Sequence, residues 1–229
     1  MINFSFAEPT FKARERRLEI CQTIYDANVF DVKNWRRGFQ NNPDMLPETI
    51  LKFLNLLSEF NVDYCIVGGI AYLAYIEDRN TKDLDILISV QELNKILPFV
   101  KVVERDADFT KTEFEGLRID FLKTTNSLFS YIKENETTGI EFAEGEFPIA
   151  TVEGLVLMRF DAIIDLYQRS NFNKILRYEN DLQFLTINHE INWEKIWKIS
   201  KDHFTVGQIE EFQKMVAGWQ KPRRNPFEN

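Results

Sequence analysis

The chain has 229 residues, 44% of them hydrophobic and 14% aromatic, with twenty phenylalanines. That is enough apolar material for one generous domain or two modest ones, and it excludes a disordered chain. The net charge of −8 argues against nonspecific binding of phosphate backbones, which rests on Lys and Arg displacing counterions.

Basic residues cluster locally between Lys12 and Arg17, at Arg36 and Arg37, and at Lys221, Arg223 and Arg224. Such runs fit solvated helix faces or frayed ends, and they leave nucleic acid open as a substrate. Cys21 and Cys65 lie far apart and outside any Cys-x-x-Cys spacing, so they read as free thiols in a reducing compartment. The opening "MINFSFAE" lacks the basic and apolar regions of a signal peptide. The longest nearly uncharged stretch, Tyr64 to Ile76, is too short to cross a bilayer. The expectation is a cytoplasmic protein with no membrane partner.

In chain order, residues 12–26 predict an amphipathic helix, with Leu18, Cys21, Ile24 and Tyr25 at helical spacing. A second helix follows in "PETILKFLNLLSEF", where Pro47 opens it, Ile50, Phe53, Leu54 and Leu57 share a face, and Asn61 ends it. "DYCIVGG" reads as a buried strand, "IAYLAYI" as the opening of a helix, and "LDILISV" as a second buried strand. Ser89 can cap the helix in "VQELNKILPFV", which stops near Pro98. Strand-like fragments and a turn follow in residues 101–116. "LRIDFLKT" is a third strand, with Leu117, Ile119 and Phe121 alternating against Arg118, Asp120 and Leu122. Strands separated by helices indicate an α/β or α+β domain with a mixed sheet. From about Thr151 the pattern turns helical, in three or four segments that end near Gln220.

The chemistry is concentrated in "VGGIAYLAYIEDRNTKDLDILISV", residues 67–90. Asp83 and Asp85 are two apart at the mouth of a strand, so both carboxylates leave the same face. Like charges that close repel and raise each other's pKa, and a divalent cation relieves them. Oxygen donors of this kind suit Mg²⁺ or Mn²⁺ rather than Zn²⁺. Asp120 adds a third carboxylate if its strand neighbours the first. Gly68 and Gly69 sit between strand and helix, where bare backbone can approach a phosphate. Arg79, Thr81 and Lys82 add two cations and a hydroxyl. Each feature alone is common; their order along the chain makes the site.

That order resembles the nucleotidyltransferase superfamily whose fold is shared with DNA polymerase β. The resemblance lies in "VGGIA", "RNTKDLDI" and "RIDFL". Within the superfamily the wording is most similar to the AbiEii-type abortive-infection proteins, toxins of type IV toxin–antitoxin systems. "IATVEGLVLMRFDAIIDLYQR" and "RYENDLQFL" are similar to that group's C-terminal helices. Arg159 stands where the group usually has lysine, and Tyr178 where the first Asp of its helical motif is expected, while Asp181 is retained.

The fold so implied is α+β: a nucleotidyltransferase-like mixed sheet flanked by helices, then a C-terminal helical bundle. Residues 1–150 would form the first domain, with the N-terminal helices, and residues 151–229 the second. The activity implied is transfer of a nucleotidyl group from a nucleoside triphosphate, with Mg²⁺ or Mn²⁺, to a hydroxyl of RNA (tRNA included), protein or a small molecule. A cognate antitoxin is an implied partner. Asp83, Asp85 and Asp120 would bind the metal, and Asp120 would also help deprotonate the acceptor. Gly68 and Gly69 would hold the triphosphate, with Arg79, Lys82 and Arg159 neutralising phosphates. The alternative is a module of the same fold that binds nucleotide or a protein partner without turnover of its own.

Overall fold

The computed structural model describes residues 18–37, 43–76 and 80–219, with the side chains of residues 35–37 left aside. The basic runs at 12–17 and 221–224, the side chains of Arg36 and Arg37, and Arg79 therefore lie outside the described residues.

Among the described residues seven strands form one sheet: β1 (Tyr64–Val67), β2 (Asp83–Ile88), β3 (Lys101–Arg105), β4 (Phe109–Phe114), β5 (Leu117–Lys123), β6 (Thr137–Phe142) and β7 (Gly145–Ala150). Their order is β3-β4-β5-β2-β1-β7-β6. β2 runs parallel to β5 and antiparallel to β1, β1 runs parallel to β7, and the outer pairs are antiparallel. The sheet is mixed, as expected. Its central strands are buried because their runs are apolar on both faces: Ile66, Val67, Leu84, Ile86, Ile88, Ile119 and Phe121 are all fully enclosed.

Helices α1 (Ile20–Val29), α2 (Val32–Arg37), α3 (Leu46–Glu59), α4 (Gly68–Leu73), α5 (Val90–Ile96) and α6 (Ser127–Asn135) are interleaved with the strands. α3 buries Ile50, Phe53, Leu54 and Leu57, and the Phe53 ring lies 5.5 Å from Phe114 and 6.4 Å from Phe121. Asn61 follows its end at φ 44°, the left-handed position that stops a helix. The Ser89 hydroxyl accepts from Glu92 N–H at 3.1 Å, which caps α5.

The first helix corrects the sequence reading. It starts at Ile20, and residues 18 and 19 are not helical. The reason is a distant side chain: the Glu144 carboxylate accepts from the N–H groups of Ile20 (3.1 Å) and Cys21 (2.7 Å), satisfying donors that a helix start leaves open. Residues 124–150, for which the sequence suggested no elements, hold α6 and the β6–β7 hairpin.

The C-terminal part is four helices, α7 (Val152–Gln168), α8 (Phe172–Asn188), α9 (Trp193–His203) and α10 (Val206–Trp219). Thr151 caps α7 by accepting from Gly154 N–H at 3.2 Å. A Cβ on Gly154 would lie 2.9 Å from Glu136 Cβ, so the glycine lets α7 pack closely on the end of α6. Glu136, buried there, accepts from Thr151 (2.8 Å) and pairs with Lys195 of α9 (2.6 Å). Among the described residues no helix is long and apolar enough to cross a membrane, and both cysteines are free thiols.

Candidate active site

The register of β1, β2 and β5 assembles the site. β2 places Asp85 opposite Val67 on one side and opposite Asp120 on the other; Asp83 lies opposite Arg118. Side chains alternate along each strand, so Asp83, Asp85, Arg118 and Asp120 leave one face while Leu84, Ile119 and Phe121 enter the core. The three predicted carboxylates thus come from adjacent positions of two paired strands.

Their electrostatics follow from that proximity. Burial, then the charges of Asp83 and Asp120, push the Asp85 carboxyl up to about 7; Arg159 and the Gly69 N–H act in the opposite direction. Asp120 is also raised, by burial and then by Asp83, against Lys111, Arg118 and Lys174. Asp83 is held by neighbours: Oδ1 accepts from the Thr81 hydroxyl at 3.0 Å, and Arg118 lies 3.8 Å from Oδ2.

Gly68 and Gly69 are needed for close approach within the protein itself. Gly68 has φ +60°, and a Cβ there would lie 1.8 Å from Asp85 Oδ2; a Cβ on Gly69 would lie 2.3 Å from Thr81 Cβ. The pair therefore seats the start of α4 directly on Asp85 and Thr81. Lys82, predicted to neutralise phosphate, is paired with Asp31 at 2.5 Å.

Above this floor, a cleft of about 1310 Å³ opens between the sheet and the C-terminal helices, and the three aspartates, both glycines and Arg159 all border it. Arg159 is buried. It donates to Asp181 at 2.9 Å and is stacked between Tyr72 (4.4 Å to the ring centre) and Tyr178 (3.7 Å). Its Nε is enclosed without a hydrogen-bond partner. Burial works against its charge, but Tyr72, Tyr178, Asp181 and Asp85 outweigh that and raise its pKa.

Three carboxylates are the donor chemistry of a hard divalent cation. Among the described residues, however, no group of three His, Cys, Asp or Glu side chains is spaced to hold an ion as it stands. Thr81 and Arg118 engage Asp83 in the present arrangement.

Sequence reasoning missed Asp31, Lys111, Arg118 and Lys174. Arg118 was within reach, being two positions from Asp120 on the same strand face. Lys111 reaches the site only because β4 places it opposite Asp120, and Lys174 only because α8 borders the same cleft.

No family model matches the chain, and no curated protein matches its sequence. Solved structures do. The solution structure of the antibiotic-resistance factor ANT(2″)-Ia aligns with TM-score 0.50 and 13% identity, over 75% of this chain and 92% of that one. The fold is nucleotidyltransferase-like. An antigenic nucleotidyltransferase-like protein from Paracoccidioides brasiliensis is similar at TM-score 0.44 and 14% identity, over 77% of this chain and 94% of that one. A putative nucleotidyltransferase from Thermotoga maritima is similar at 0.40 and 13%, over 63% and 98%. In this nucleotidyltransferase-like fold the aspartates stand on β2 and β5, beside the glycine pair that opens α4 after β1.

Proposed function

We propose that the protein is a metal-dependent nucleotidyltransferase that moves a nucleotidyl group from a nucleoside triphosphate to an acceptor hydroxyl. The observation that carries this is the β2–β5 register, which sets Asp85 beside Asp120 and within the field of Asp83. Mg²⁺ or Mn²⁺, held by Asp83, Asp85 and Asp120, would supply charge stabilisation at phosphorus.

The chain's own residues do the rest. Gly68 and Gly69 carry no side chain to bar the triphosphate, and Thr81 orients Asp83. Asp120, already raised in pKa, takes the proton of the acceptor hydroxyl as its oxygen attacks the α-phosphorus. The bond from that phosphorus to the bridging oxygen breaks, and pyrophosphate leaves. Lys82 and Arg79 are the further phosphate-neutralising candidates.

The acceptor class we propose is RNA (tRNA ends included), a protein or a small hydroxylated molecule. The biological setting we propose is that of an AbiEii-like toxin with a cognate antitoxin, acting in the cytoplasm. The residues that resemble that group support this setting. A second reading, nucleotide binding without independent turnover, draws on the engagement of Asp83 by Thr81 and Arg118.

The test is incubation with each labelled nucleoside triphosphate, Mg²⁺ or Mn²⁺, and total RNA or lysate. Label should appear on an acceptor with wild type. It should fall by on the order of a hundredfold with Asp120→Asn, whose melting temperature stays within a few degrees. Triphosphate binding without any label transfer would favour the second reading.

A further inference from the structure

The sequence resemblance assigns phosphate neutralisation from the helical layer to Arg159, yet its charge already faces Asp181 and it lies over the rings of Tyr72 and Tyr178. Other cations around the cleft are similarly engaged: Lys82 with Asp31, Lys111 with Glu104, Arg118 with Asp83 and Arg169 with Asp165. Lys33, on α2 rather than in the C-terminal helices, has no ion pair among the described residues, though its charge acts on Asp31.

Within the C-terminal helices, Lys174 and Arg177 differ from Arg159 and Arg169. Both border the cleft from the first two turns of α8, both are exposed, and neither has an ion-pair partner among the described residues. Three positions apart, they are neighbours on the helix surface. Lys174 Nζ lies 5.9 Å from the Tyr178 ring centre and close enough to Asp120 for its charge to act there. Tyr178, with Arg159 stacked at 3.7 Å, supports this edge of the cleft. Two exposed cations of α8 without an ion pair among the described residues thus border the same cleft, of about 1310 Å³, as the three carboxylates. A ligand that bridges the two must be anionic towards α8 and must reach the floor through a metal ion. A metal–triphosphate complex has that polarity.

We infer that Lys174 and Arg177, rather than Arg159, are the cations that the helical layer offers to the β- and γ-phosphates, and hence to the departing pyrophosphate. This rests on the proposed nucleotidyl transfer and specifies which side chains of that site hold the triphosphate tail. Each would make a charge-assisted hydrogen bond to phosphate oxygen, the ammonium of Lys174 as a point charge and the guanidinium of Arg177 as a fork.

The experiment is titration of the full chain, with Mn²⁺ and no acceptor, by a nucleoside triphosphate, its monophosphate and inorganic pyrophosphate. Wild type is compared with Lys174→Gln, Arg177→Gln and the double variant. Each single change should weaken triphosphate and pyrophosphate about tenfold, and the double more, with monophosphate binding changed less than about twofold. Lys174→Arg should retain most of the affinity, and the salt dependence of triphosphate binding should flatten in the double variant. Melting temperatures of the variants check that they fold, as exposed positions should. Triphosphate affinity within about twofold of wild type in the folded double variant overturns the inference while leaving nucleotidyl transfer standing. The same holds if the folded double variant binds triphosphate like wild type but loses label transfer to RNA in the labelled-triphosphate assay, since the cations would then serve the acceptor's phosphates. Wild type that binds no triphosphate removes the proposed function and this inference together.

Discussion

Asp85 sits across a strand pair from Asp120 and two positions from Asp83, and its carboxyl is pushed up to about 7. In the unfolded chain an aspartate titrates at about 3.9. Below about pH 4 the group is neutral in both states and has no effect on stability. As pH rises from there, the unfolded chain ionises first, so the folded state loses stability until about pH 7, beyond which the loss is constant. Asp85→Asn removes that loss. In chelator, the variant's melting temperature should gain on wild type as pH rises from about 4 to about 7, then keep a fixed lead. Mn²⁺ should narrow the lead by stabilising wild type. Parallel melting curves across that pH range would mean the carboxylates do not strain the fold.

Among the elements, those that carry the site were the most legible. β1, β2 and β5 are short apolar runs, and α4 is marked by the glycines that open it. The β6–β7 hairpin escaped because its strands carry Gly139, Glu141, Glu146 and Pro148, residues that weaken a strand signal. α6 is only nine residues long. The start of α1 depends on Glu144, which no local pattern reveals. At the site, the three aspartates could be read because strand alternation fixes their face. The engagement of Arg159 could not be, because its partners Tyr72 and Asp181 come from two other helices. The α1 cap is testable: Glu144→Ala should cost about 1 kcal/mol in urea denaturation, with hydrogen exchange accelerating first at the amides of Ile20 and Cys21. Unchanged exchange there would show that water replaces the carboxylate without penalty.

At the scale of the whole molecule, Arg159 ties three helices together over the sheet: α7 carries it, α4 supplies Tyr72, and α8 supplies Tyr178 and Asp181. Arg159→Ala would take from the buried Asp181 the guanidinium that donates to it at 2.9 Å, and would remove the group that lies against two tyrosine rings. The expected cost is roughly 3–5 kcal/mol, read as a lowered denaturation midpoint. Replacing both members of the pair, Arg159→Met with Asp181→Leu, should recover most of it. A melt of the single variant that matches wild type would make the pair dispensable to the fold. Glu144 has another consequence, in time rather than energy. The carboxylate that completes α1 is made 123 residues after Cys21. At translation rates of about 5–20 residues per second, the nascent chain waits roughly 6–25 s for it. Through that interval the two amides that Glu144 will receive, at Ile20 and Cys21, are open to any other acceptor that reaches them.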